Sequence, residues 1–128
     1  MANRKFETVQ ALERQLKIIA GSFRPNGTNA VDNTLNTGHG FSVTHDGTGL
    51  FTITLEDKYM SLIAGHVTLQ CATAGVASIV RISASDVASA KTISLTSHAM
   101  DGTTENDIAS DTNNRVHFTL FLKNSSVF

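Results

Sequence analysis

The stretch FSVTHDGTGLFTITL, Phe41 to Leu55, decides the fold. Phe41 and Val43 alternate with Ser42 and Thr44, and Phe51, Ile53 and Leu55 alternate with Thr52 and Thr54. Between the two runs stands Asp46-Gly47-Thr48-Gly49. Successive side chains of a strand point to opposite faces, so each run presents one apolar and one hydroxylated face. Asp-Gly between two such runs tolerates the positive backbone angles of a tight turn. The segment predicts an antiparallel hairpin with one face buried.

Strand patterns continue on both sides of it. LKIIAGSF, Leu16 to Phe23, reads as a strand in which Ile18 and Ile19 are both apolar. HVTLQCATA places Val67, Leu69 and Cys71 on one face. VASIVRISAS, Val76 to Ser85, places Val80, Ile82 and Ala84 on one face and Ile79, Arg81 and Ser83 on the other. KTISLTSH, Lys91 to His98, alternates Ile93 and Leu95 with Thr92, Ser94 and Thr96. In RVHFTLFLKNS, Val116, Phe118, Leu120 and Leu122 face inward, and His117, Thr119, Phe121 and Lys123 face outward. After Glu56-Asp57-Lys58, the stretch Tyr59 to Gly65 reads as a turn or one helical turn. About seven strands at roughly ten-residue spacing predict an all-β protein, an antiparallel β-sandwich of jelly-roll-like kind. No helical crossover is present to join parallel strands.

Two long loops and an N-terminal segment complete the chain. Arg24 to Gly40 holds the only Pro, with several Gly and Asn, and reads as a surface loop. Ala99 to Asn114 is a second, acidic loop, and loops of this length are commonly functional or mobile. Phe6, Val9, Leu12 and Leu16 recur at three- or four-residue spacing, and Asn3 precedes them in an N-cap position. Three turns are marginal alone, so the segment is a short helix or an extended arm that needs a surface to lie on. The expected organisation is an arm or helix over residues 1–15 and a β-sandwich domain over 16–128.

Composition narrows the function. A chain of 128 residues forms one domain with its own core, without metal or disulfides. A net charge of −1 argues against a nucleic-acid or anionic-membrane binder. The lone Cys71 excludes an internal disulfide framework and a cysteine-based zinc site. With 16 Thr, 12 Ser and 9 Asn against 10 basic and 11 acidic residues, the outer faces should be neutral and hydroxyl-rich. The longest uncharged stretch, Tyr59 to Val80, contains His66 and Gln70 and is not a membrane span. The charged N-terminus lacks the apolar core of a secretory signal, so synthesis and folding in the cytoplasm are expected.

No chemical site assembles from the motifs. His39, His45, His66, His98 and His117 show none of the spacings that put two imidazoles on one face, and those near strand ends read as solvated. Asp101, Glu105, Asp107 and Asp111 do not follow a calcium-loop pattern and read as a solvated acidic loop. Cys71 falls in an apolar register and reads as a buried thiol, while no Gly-x-Ser-x-Gly elbow or phosphate loop is present. The expectation is a protein that is not an enzyme and needs no cofactor or metal.

The apolar residues left over are more informative. Strict alternation puts Phe121 on the face opposite Phe118, Leu120 and Leu122, and it sets Ile79 and Leu50 against their own neighbours in the same way. A monomer with one solvated sheet face has no need of them there. Either the subunit's own arm or loops cover them, or they mark a contact between subunits.

Four segments, RKFETVQALERQLKIIAGSF, GTGLFTITLEDKY, DVASAKTISL and RVHFTLFLKNSSVF, together resemble a group of small virion proteins of tailed bacteriophages. Such proteins are capsid decoration or cement proteins, or other head and tail accessory subunits. The resemblance implies a β-sandwich that forms homodimers or homotrimers on the capsid surface and binds the major capsid protein, with no nucleic-acid or membrane partner. On that basis Phe6, Val9, Leu12 and Arg14 of the arm are expected to contact a neighbouring subunit or the capsid, and Phe121 the interface between copies. The competing expectation is a fibre or tail accessory module that reads a host-surface glycan through its long loops. The absence of Trp and the single Tyr weigh against that module.

Overall fold

The structure, a computed structural model, describes residues 12, 13, 15–72, 79–99 and 104–124. The strands are β1 (Leu16–Phe23), β2 (Thr37–Gly38), β3 (Phe41–Gly47), β4 (Leu50–Leu55), β5 (Ser61–Gln70), β6 (Ile79–Asp86), β7 (Thr92–His98) and β8 (Arg115–Lys123). They form two four-stranded antiparallel sheets, in the orders β2-β1-β8-β5 and β3-β4-β7-β6. The expected hairpin is β3–β4, with Val43 opposite Ile53 and a register shift between His45 and Gly47.

The two sheets share one core, giving a β-sandwich-like fold. Ile19, Phe23, Val116, Phe118, Leu120 and Leu122 of the first sheet meet Val43, Phe51, Ile53, Leu55, Ile93 and Leu95 of the second. Phe23 tilts against Phe51 at 5.3 Å between ring centres, and Phe41 stands edge-on to Phe118 at 4.7 Å. Each fully buried side chain of this size contributes about 1.5–3 kcal/mol. These twelve residues are the apolar phase of the alternation in β1, β3, β4, β7 and β8. The period-2 pattern therefore sets the core.

Bulges account for the departures from expectation. Tyr59 to Gly65 is not a turn throughout, because β5 begins at Ser61 and pairs with β8 as far as Gln70. Its register shifts between Leu62 and Ala64, so Ile63 is an inserted residue and the alternation is lost locally. In β6 the register shifts between Ile82 and Ala84, which moves Ala84 off the inner face and leaves it exposed. Cys71 lies just past β5 and is half-buried instead of buried.

The first long loop is more ordered than its composition suggests. It carries a single 3-10 turn, Asn33–Leu35, and the two-residue β2, and it buries Pro25 and Val31. Asp32 caps the turn by accepting from the Thr34 backbone N–H at 3.0 Å and from the Thr34 hydroxyl at 2.6 Å. Those bonds hold the Asp32 carboxyl below its ordinary pKa, the hydroxyl being the larger cause. Among the described residues no helix is long and apolar enough to cross a membrane.

Candidate functional site

The outer face of the β1–β8–β5 sheet leaves Ile18 and Ile63 to solvent; Leu12, Leu35, Leu50 and Met60 are exposed elsewhere. Register fixes its rows: Ile18 pairs with Phe121, and Phe121 pairs with Ala64. The next row is Ala20, Thr119 and His66, and the one beyond it is Ser22, His117 and Thr68. Ile18 is 44% exposed and the bulged Ile63 is 45% exposed, while Phe121 is half-buried. The His66 ring stands edge-on to Phe121 at 6.4 Å and gives it a polar border. At the far end Arg115 donates to the Ser22 hydroxyl at 3.3 Å and to the Leu35 carbonyl at 3.2 Å, and His117 lies 2.7 Å from Gln70 Oε1. The face thus grades from an apolar row beside the start of β1 to a hydrogen-bonded polar row beside the loops.

Phe121 stands on the outer face, as strict alternation requires, with Ile18 as its direct cross-strand neighbour. Of the arm residues, Leu12 is fully exposed, whereas Phe6, Val9 and Arg14 lie outside the described residues. Leu50 is exposed and Ile79 half-buried on the outer side of the other sheet. Ile63 escaped the sequence reading because the bulge hides its strand. The continuous run SLIAGHVTLQ, free of Pro and Asn, is the signal that could have found it.

Loops converge at one end of the two sheets. The Gly27 N–H donates to the Ile108 carbonyl at 3.0 Å and joins the first long loop to the second. A cavity of about 240 Å³ lies here, lined by Arg24, Pro25, Asn26, Asp32, Leu35 and Ser110. The second loop also brings Asp107 Oδ1 within 2.7 Å of His45 Nε2, and the same oxygen accepts from the Gly49 backbone N–H at 2.7 Å. The expectation that these groups are solvated fails: both the His45 and Asp107 side chains are largely buried, and His98 is buried near the end of β7. The acidic loop folds back onto the β3–β4 turn, and Asp107 is the pin. Asp101 lies outside the described residues. Among the described residues no three His, Cys, Asp or Glu side chains converge as a metal-ligand set.

Comparison with protein-family models, with curated proteins and with solved structures finds no match to this chain.

Proposed function

We propose that this chain is a non-enzymatic virion structural protein. It binds the outside of a tailed-phage capsid as a decoration or cement subunit, together with further copies of itself, and stabilises the shell. The observation that carries this is the apolar row Ile18–Phe121–Ala64 with the bulged Ile63, on a sheet face that a solitary domain would fill with polar groups. A face of this kind, apolar at one end and rimmed by His66 and Lys123, has the anatomy of a subunit contact. The partners are the major capsid protein and other copies, as homodimer or homotrimer, without nucleic acid, membrane or cofactor. The working location is the capsid surface of the virion, after synthesis in the host cytoplasm.

A subunit that binds only the assembled shell stabilises it by mass action, by about 2.7 kcal/mol per site at a hundredfold excess over Kd. The fold belongs, in this proposal, with the jelly-roll-like sandwiches of such proteins. The pairing of its first long strand with its last, β1 with β8, supports that kinship.

The test is to mix the purified chain with expanded shells of the major capsid protein encoded alongside it, and to count bound copies by cryo-electron microscopy. Regular occupancy of the outer surface is expected, lost on deletion of residues 1–15 and weakened by Phe121→Ser, with the β-sheet circular-dichroism signal intact. Bare shells at saturating concentration overturn the proposal.

One observation favours a second reading, a fibre or tail module that binds a host-surface glycan. The two long loops meet around a cavity that offers Arg24, Asn26, Asp32 and Ser110 to a hydroxylated ligand. Selective signals on a glycan array, lost in Asp32→Ala, would promote it over the capsid role.

A further inference from the structure

The four outer borders of the two sheets are not protected alike. Unpaired backbone on an edge strand invites another chain to pair with it, and proteins blunt such edges with bulges, caps or cover. On β3 the Asn33 side chain occupies both backbone groups of Val43, and the strand is bulged beyond His45. On β5 and β6 there are bulges at Leu62/Ala64 and Ile82/Ala84. These two strands also back onto each other across the sheets, with Gly65 so close to Ile82 that an added methyl group would lie 2.8 Å from its Cδ1.

β1 has neither a bulge nor a side-chain cap among the described residues, and Lys17 is the one charge that blunts its edge. Its pairing with β8 runs from Leu16 to Phe23 without a register shift. On its other side β2 covers only Gly21 and Ser22, so Leu16 to Ala20 have no strand beside them among the described residues. The open segment carries Lys17 as its single charge, and Ile18 stands exposed at its centre.

We propose that the Leu16–Ala20 edge of β1 is the contact between copies of this chain, two β1 strands pairing antiparallel about a two-fold axis at Ile18. A two-fold contact must be self-complementary, and this segment is. With Ile18 opposite its own copy, Leu16 meets Ala20 on the outer face and Lys17 meets Ile19 on the inner one, so neither lysine stands directly opposite the other. The same centring is the one that fits the open length, because β2 blocks any pairing beyond Ala20. The two sheets become one, and the apolar rows join as Ala64, Phe121, Ile18 and their counterparts in reverse order. Phe121 backs the contact through Ile18, and the doubled face is what the capsid protein meets. This inference rests on the proposed self-association and gives it a geometry.

Disulfide trapping in a Cys71→Ser background tests it. Directly opposed Cα atoms in an antiparallel pair lie about 4.5–5.5 Å apart, within disulfide reach, whereas partners two residues out of register lie beyond about 7 Å. Mild oxidation of Ile18→Cys should give a covalent dimer. Lys17→Cys and Ile19→Cys should give roughly tenfold less, since each faces the other and not itself. Combining Lys17→Cys with Ile19→Cys should restore cross-linking, and circular dichroism confirms that each variant is folded. A dimer that cross-links through Phe121→Cys but not Ile18→Cys overturns the β1 edge and leaves self-association standing. A chain that sediments as a monomer at every concentration overturns both. If Ile18→Cys cross-links only after residues 1–11 are deleted, the chain's own N-terminal segment occupies the edge, and the inference fails.

Discussion

The side-chain amide of Asn33 pairs with both backbone groups of Val43: its Nδ2 donates to the Val43 carbonyl at 3.1 Å, and the Val43 N–H donates to its Oδ1 at 2.8 Å. A side chain here does what a neighbouring strand would do, at the middle of an edge. The 3-10 turn capped by Asp32 holds Asn33 in place, so a polar loop of low apolar content serves to close the border of a sheet.

Asn33→Ala removes both bonds at once. A hydrogen bond contributes about 0.5–1.5 kcal/mol net, so a loss of about 1–2 kcal/mol is expected in urea unfolding. Uncapping the edge should also raise aggregation, measured by light scattering. Asn33→Asp keeps the acceptor for the Val43 N–H but sets an oxygen where the amide donated to the Val43 carbonyl, so it should lose at least as much. Equal stability for wild type and Asn33→Ala would show that water replaces the amide without loss.

Asp107 joins His45 and the Gly49 N–H in a largely buried setting, and hydrogen bonds to a charged group are the stronger kind. Asp107→Ala should lower stability by about 2 kcal/mol, and His45→Ala by less, since the Gly49 bond survives. A double-mutant cycle reads the coupling directly, and a coupling of zero would remove the pin from this account. Hydrogen exchange should quicken at Asn106, whose N–H is bonded to the Ser97 carbonyl.

The legible part of this fold is its core. Wherever a strand runs unbroken with strict alternation, as in β4, β7 and β8, the alternation assigns the inner apolar residues, because one face meets the other sheet and the other does not. Where a bulge inserts a residue, the period fails, so the pattern hides Ile63 from its strand and points Ala84 to the wrong face. The burial of His45 and Asp107 depends on a contact across about sixty residues of chain, and that of His98 on the loop after it folding back so that Glu105 bridges to it; no alternation pattern carries either. Phe121 was legible as an outward aromatic. Its neighbour Ile18 was seen only as one of two adjacent apolar residues, and the pairing that unites them belongs to the β1–β8 register.

Gly21 illustrates a close approach within the first sheet. A methyl group there would lie 2.5 Å from the Phe41 ring and 2.6 Å from the Thr37 carbonyl oxygen. Gly21→Ala should cost about 1–3 kcal/mol and loosen β2 from β1, read by thermal unfolding and by exchange at Gly38. An unchanged melting temperature would mean that the Phe41 ring moves aside freely.

Acid should release the turn that carries Asn33. The Asp32 carboxyl has a lowered pKa in the folded chain, so its contribution to stability is present above the unfolded carboxylate value and is lost as pH falls through the lower folded value. Carbon-13 titration of Asp32 should follow that order, with Val43 amide protection falling in the same step. Thr34→Ala should move the titration upward. An Asp32 that titrates at its ordinary value would contradict the capping geometry.

Sedimentation equilibrium over a wide concentration range, comparing the intact chain with Phe121→Ser, asks most directly whether the outer face of β1, β8 and β5 is made for another subunit. The account predicts a reversible oligomer for the intact chain and a shift toward monomer for the variant, both with the same β-sheet spectrum. A monodisperse monomer at every concentration, indifferent to the substitution, would contradict it.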